Sequence, residues 1–147
     1  MKKLEFKIDI SATAKKVWDT MLAPKTYKEW VGVSWPGSDY QGKWAKGEKI
    51  RFQGEGQSGG TVATIDEFKP YESLLARHIA VINADGTEDY NSEVAKGWVG
   101  TLERYTFAES KGKTTLTVGI ETNPDWEKMF QDGWPGALKA LKEICEK

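Results

Sequence analysis

Histidine and cysteine are almost missing: His78 and Cys145 are the only ones among 147 residues. A lone cysteine excludes an internal disulfide framework and suits a reducing compartment. A zinc site made from nitrogen and sulfur ligands needs more of both than the chain has. A cysteine–histidine nucleophilic pair would have to join the last helix to the middle of a strand, with no orienting group evident. No catalytic residue, metal or cofactor is therefore assigned. No apolar run approaches the ~18–20 residues that span a bilayer, so no membrane span is expected. After Met1-Lys2-Lys3 an alternating strand pattern begins at once, without a secretory apolar segment, which points to the cytoplasm. A net charge of −1 offers no basic field to nucleic acid or an anionic membrane. Repeats, linkers and low-complexity tracts are also missing. Residues 1–147 read as one domain, long enough to bury a real core.

Tryptophan is the residue in excess, at seven, and such large flat side chains build cores or line cavities. The stretch Asn123–Lys147 predicts one long helix. Trp126, Phe130, Trp134, Leu138, Leu141 and Cys145 recur every three or four residues. At about 100° per residue they cover an arc of roughly 120°. Upstream lies only a short pair of helices, so the partner of that stripe must be a β-sheet. A sheet curled round an aromatic-faced helix leaves room for a pocket between them. Pro135 removes one helical hydrogen bond and predicts a kink or a restart. Two readings stand there: a plain two-part helix, or a bend that opens a portal beside Trp134.

Leu4, Phe6, Ile8 and Ile10 alternate with polar residues and read as a half-buried strand. Ser11 or Thr13 caps a helix to about Leu22, with Val17, Trp18, Met21 and Leu22 inward. Pro24 suits the first position of a second short helix, with Tyr27 and Trp30 inward and Gly32 as its stop. The period then switches to two. Strands are expected near Val33–Trp35, Tyr40–Trp44, Lys49–Gln53, Gly60–Phe68, Leu74–Ile82, Trp98–Ala108 and Thr114–Thr122. Their connections are short, which predicts an antiparallel meander. Asn83–Gly97 is the one long polar loop. The order is strand, two short helices, several strands, long helix: an α+β domain.

Four motifs invite chemistry. Gly54-Glu55-Gly56-Gln57-Ser58-Gly59 fits G-x-G-x-x-G, but dinucleotide binding needs a helix after the last glycine. The β-branched run Thr61–Ile65 follows instead, so the motif reads as a flexible hairpin loop. Asn83-Ala84-Asp85-Gly86 resembles the middle of a calcium loop, yet Val81 and Ser92 fall where carboxylates are required. His78 lies on a strand whose two faces are both apolar. If Leu74, Ala76, His78 and Ala80 look inward, His78 becomes a polar group in the cavity, fit to anchor or to act as a base. Glu103 and Arg104 point to opposite faces. Either the inward one is paired inside the pocket, or the charge simply belongs to a solvated sheet face.

In this order of elements the chain resembles the START-like (SRPBCC) helix-grip superfamily of the birch-pollen allergen and the polyketide cyclases. Within it, the chain is similar to the family named after the C-terminal domain of the heat-shock protein 90 ATPase activator. The resemblance rests on Ile8-Asp9-Ile10-Ser11-Ala12-Thr13 with Val17-Trp18, and on Tyr27-Lys28-Glu29-Trp30. It rests further on Gly42-Lys43-Trp44 with Gly47-Glu48, Glu67–Leu74, Lys113–Thr117, and Asp132-Gly133-Trp134 with Leu138 and Leu141. It implies a strongly bent antiparallel sheet wrapped around the long C-terminal helix, with the two short helices closing one end. It also implies a hydrophobic cavity in many members and no shared catalytic residue.

The leading expectation is a non-enzymatic module for a small, largely apolar molecule, lipid-like or aromatic. Its candidate lining is Trp30, Trp35, Phe52, His78, Tyr105, Phe130, Trp134 and Leu138, around a pocket on the order of 300–1,000 Å³. A chaperone-cofactor role is the first alternative, with the acidic loop Asp85–Glu93 or the hairpin Gly54–Gly60 as the contact. A cyclase, dehydratase or hydrolase using His78, Glu103 or Tyr105 is the second. A monomer or weak homodimer is expected.

Overall fold

The computed structural model describes residues 1–53 and 59–147. Strand β1 (Lys2–Ile10) turns Leu4, Phe6, Ile8 and Ile10 inward while its charged residues stay exposed. Thr13 then caps helix α1 (Ala14–Leu22), its hydroxyl accepting the Lys16 amide. Ala23 ends that helix in an extended conformation, as a residue before proline must. Pro24 opens α2 (Pro24–Gly32), which buries Tyr27, Trp30 and Val31.

Seven further strands follow. These are β2 (Asp39–Gln41), β3 (Lys49–Gln53), β4 (Gly60–Lys69), β5 (Ser73–Ile82), β6 (Glu88–Asp89), β7 (Leu102–Ser110) and β8 (Lys113–Thr122). Helix α3 (Glu93–Trp98) stands between β6 and β7, and α4 (Glu127–Cys145) closes the chain after a short 3₁₀ turn at Pro124–Trp126. The strands form one antiparallel sheet in the order β1-β8-β7-β5-β4-β3-β2, with β6 added beside β5. Two register shifts between β4 and β5 bend it, at Val62/Ala63 and Ile65/Glu67. This is the α+β helix-grip architecture, a curved sheet holding α4 with α1 and α2 beside it.

The stripe on α4 does what the spacing demands. Phe130, Trp134, Leu138, Leu141 and Cys145 are all buried, while Trp126 sits half-buried in the preceding turn. The helix runs unbroken through Pro135, so neither a restart nor a two-part helix occurs. Pro135 is exposed, and the carbonyl that loses its donor belongs to Gln131, also exposed, where water can serve it.

Four expected elements differ. Val33–Trp35 is no strand: the Ser34 and Trp35 amides turn back to the Val31 carbonyl, extending the end of α2. The strand expected over Tyr40–Trp44 stops at Gln41, because Gly42 takes a φ of +127°. The strand placed at Trp98 starts only at Leu102, after Gly100 at φ +95°. The loop Asn83–Gly97 holds β6 and α3, the latter capped by Ser92 through the Ala95 amide. Asp85, in the acidic loop whose likeness to a calcium site fails at Val81 and Ser92, accepts from the Thr87 amide and hydroxyl. The Gly54–Ser58 part of the glycine motif lies outside the described residues. Among those described, no helix is long and apolar enough to cross a membrane.

Candidate functional site: a cavity between sheet and helix

Trp134 reaches from α4 toward the sheet, and other aromatic rings collect around it. Its ring centroid lies 6.0 Å from Trp30, 5.7 Å from Trp35 and 6.0 Å from Tyr105. Trp35 gets there because Gly133 has no side chain: a Cβ on Gly133 would stand 2.3 Å from the indole. The wall continues from Trp30 to Tyr27 at 5.7 Å, and Tyr40, outside the lining, packs on Tyr27 at 4.9 Å. On the far side His78, Trp98 and Phe130 follow one another, with His78–Trp98 at 4.7 Å and Trp98–Phe130 at 5.9 Å.

These rings enclose a partly open cavity of about 980 Å³. Six of the seven tryptophans line it, all but Trp18. The excess of tryptophan therefore builds a hollow rather than a solid core. Seven of the eight sequence-chosen residues line it: Trp30, Trp35, Phe52, His78, Tyr105, Phe130 and Trp134. Leu138 does not. One helical turn beyond Trp134, it is buried in the solid core beside the cavity. Exposed Val94 and Met129 stand at the rim.

Register settles the two orientations left open by the sequence. On β5, Leu74, Ala76 and His78 face inward, and His78 is 3% exposed. Across β4, Val62 pairs with Ala80 but Ala63 with His78, so Ile79 is an extra residue in β5. Beyond that bulge the alternation reverses, and Val81 joins the cavity lining. On β7, Glu103 lies between Ala76 of β5 and Ile120 of β8, both buried on the inner face. Glu103 therefore points in. Arg104 points out, where it meets Glu67 at 2.5 Å. The solvated-face reading holds for Arg104 and fails for Glu103.

A three-member polar chain results on the cavity wall. Glu103 Oε1 lies 3.1 Å from His78 Nε2, and Glu103 Oε2 accepts the Tyr105 hydroxyl at 2.7 Å. Burial pushes the Glu103 carboxyl upward. Attraction to His78, their hydrogen bond and the Tyr105 hydroxyl outweigh that and hold it below the ordinary value. Tyr105 shifts the other way: burial, and then the neighbouring Glu103 charge, raise its hydroxyl well above the ordinary value. With Tyr105 donating and Glu103 ionised, His78 Nε2 carries the proton that Glu103 accepts. His78 Nδ1 is left buried without a partner, as are the indole N–H groups of Trp44, Trp98 and Trp134. An imidazole held by a carboxylate is thus present on the cavity wall.

Several lining residues were not foreseen. From sequence, Tyr27 reads as inward but not as lining, Trp44 as the end of a strand, Trp126 as part of the helical stripe and Trp98 as the start of a strand. For Trp98 a signal existed: Ser92, with Ala95 three residues on and Gly97 near the end, is a short capped helix.

A curved antiparallel sheet round a long helix, with a hollow between them, defines a helix-grip domain. The family model described as Activator of Hsp90 ATPase homolog 1-like protein matches residues 11–146, and the chain belongs to that family. The solution structure of an Aha1 dimer from Colwellia psychrerythraea aligns over 99% of this chain and 97% of its own, at TM-score 0.74 and 19% identity. A crystal structure from Chromobacterium violaceum gives 99% and 97%, TM-score 0.71 and 18% identity. CalU16 of Micromonospora echinospora gives 97% and 75%, TM-score 0.69 and 16% identity. At such identities the likeness carries the fold alone. No protein among the curated ones matches the sequence.

Proposed function

We propose that this domain binds a small, largely apolar molecule of aromatic or lipid-like character between the sheet and α4. The observation that carries the reading is the aromatic hollow of about 980 Å³, within the range of ligand pockets. Large flat side chains that pack against one another normally exclude water; here six indoles surround space instead. A ligand filling it would remove apolar surface from water at roughly 25 cal/mol per Å². Quenching or enhancement of tryptophan fluorescence across fatty acids, flavonoids and sterols tests this, with native mass spectrometry on the purified protein. A flat response together with an empty protein by mass would end the reading.

The family match supports a second reading, a chaperone cofactor that works through its surface. There the partner is a protein, and the contact is the acidic stretch Asp85–Glu93. A pull-down followed by an ATPase assay on the recovered chaperone tests it. Loss of every partner at modest salt would end this second reading. An enzyme is the third reading, with His78 oriented by Glu103 as base. Unchanged turnover of a genuine substrate after His78→Gln would remove it.

A further inference from the structure

We infer that the cavity's ligand is an organic cation, a protonated amine or quaternary ammonium on an apolar body, with its charge beside Glu103. The inference rests on the ligand-binding reading and deepens it. Among the described residues no lysine or arginine lines the cavity, whereas Asp39, Asp89 and Glu103 do. Asp39 meets Lys28 at 3.4 Å, and Asp89 Oδ1 accepts the Asn91 and Ser92 amides at the rim. Only Glu103 brings its charge to the inner wall, with 14% of its side chain still accessible. Its two hydrogen bonds leave lone-pair positions on the carboxylate free. An anion entering here would shed its hydration beside Glu103 and find no lysine or arginine to receive it. A cation would find its opposite charge in Glu103.

The walls favour the same sign. Tyr27, Trp30, Trp134 and Tyr105 form a run with centroids 5.7, 6.0 and 6.0 Å apart, and the last ring hydrogen-bonds Glu103. Aromatic faces are negative and hold cations, quaternary ammonium groups above all. His78 adds a third observation. Its Nε2 is engaged by Glu103 while its Nδ1 is buried and unpartnered, an open polar position beside the carboxylate. A polar group of the ligand is the partner that position lacks. The unpartnered indole N–H groups lie in their ring planes, so they do not compete with a cation over the ring face. They call for an acceptor oxygen elsewhere on the ligand.

Four probes of one body size test the sign of the site. They are 1-(aminomethyl)naphthalene, its trimethylammonium analogue, 1-ethylnaphthalene and 1-naphthoate, titrated calorimetrically into the full chain. Both cations should bind about tenfold tighter than 1-ethylnaphthalene, and 1-naphthoate weakest of all. Glu103→Gln should collapse the ratio of cation to hydrocarbon affinity toward one. If that variant does not fold, the ranking of the four probes on the unaltered protein decides. Naphthoate binding as tightly as the amine, or a cation preference that survives Glu103→Gln, overturns the inference. If 1-ethylnaphthalene binds and the cations gain nothing over it, only the charge assignment falls. If none of the four binds, the ligand-binding reading falls with it.

Discussion

Glu103 and His78, twenty-five positions apart in sequence, meet at 3.1 Å on the cavity wall, one on β7 and the other on β5. His78 is 3% exposed and the Glu103 side chain 14%, so both have left most of their water behind. Such a pair repays its desolvation only when the geometry is good and the remaining atoms find partners. Glu103 meets that condition through Tyr105. His78 meets it by half, since Nδ1 has none.

The lowered carboxyl of Glu103 makes folding depend on pH with a definite sign. Because its folded value lies below the ordinary 4.5, the ionised form stabilises the native state fully above about that pH. That contribution disappears as pH falls through the lower folded value. Glu103→Gln imitates the protonated group. At pH 7 it should cost about 2 kcal/mol, within the range for one hydrogen bond to a charged group. The deficit should vanish in acid as the two proteins converge. Urea unfolding at half-unit steps from pH 3 to 7 measures both, and a constant gap at every pH would contradict the assignment.

Trp134 is the ring that α4 gives to the centre of the domain, 4% exposed and in contact with Phe6, Trp30, Trp35 and Tyr105. Trp134→Ala should cost about 3 kcal/mol, the low end of the usual 3–5 for a buried indole. The low end applies because one side of this ring already borders empty space. Chemical denaturation followed by far-ultraviolet circular dichroism reads the loss. A cost below about 1 kcal/mol would mean that the helix does not depend on this contact.

Gly60 opens β4 at a φ of +150°, and a Cβ there would stand 2.0 Å from the Phe52 carbonyl oxygen. The obstacle is backbone paired in register with β4, and no side-chain rotation relieves it. Gly60→Ala should therefore cost more than about 2 kcal/mol. Thermal unfolding of the variant against Gly47→Ala makes the comparison fair. Gly47 also has positive φ, at +85°, but a Cβ there meets nothing within 4 Å. Equal losses at the two sites would show that φ strain alone, and not the close approach, sets the cost.

Regular periodicity made most of this fold legible. The stripe from Phe130 to Cys145 demanded a sheet, and the alternations along β1, β4, β5 and β8 supplied it. The failures share a cause, which is that one residue overrides the local pattern. Gly42 stops a strand, Gly100 delays another, and Ser92 nucleates a helix inside a polar segment. The inward turn of Glu103 was undecidable because period two allows either parity. Only the pairing with Ala76 and Ile120, remote in sequence, selects one. Leu138 was misplaced for a related reason: the helical stripe identifies buried residues without separating those that face a solid core from those that face a hollow.

Cys145 reports how firmly the end of α4 is held. The residue is 1% exposed, and burial pushes the thiol pKa upward, so the reactive thiolate is scarce in the native state. A polar clamp pins this helix end to the start of the chain. Glu146 accepts the Ser11 amide at 2.8 Å, and Lys142 donates to the Asp9 carbonyl at 2.8 Å and to Glu146 at 2.6 Å. Lys142 and Glu146 are partly exposed, so the clamp adds little to global stability. Its effect falls on local opening, which needs only the last turn to fray. Glu146→Ala should leave the urea midpoint nearly unchanged while speeding modification of Cys145 by Ellman's reagent about fivefold, the equivalent of roughly 1 kcal/mol. If modification accelerates only as far as the global midpoint falls, the thiol is exposed by whole-domain unfolding and the clamp plays no part.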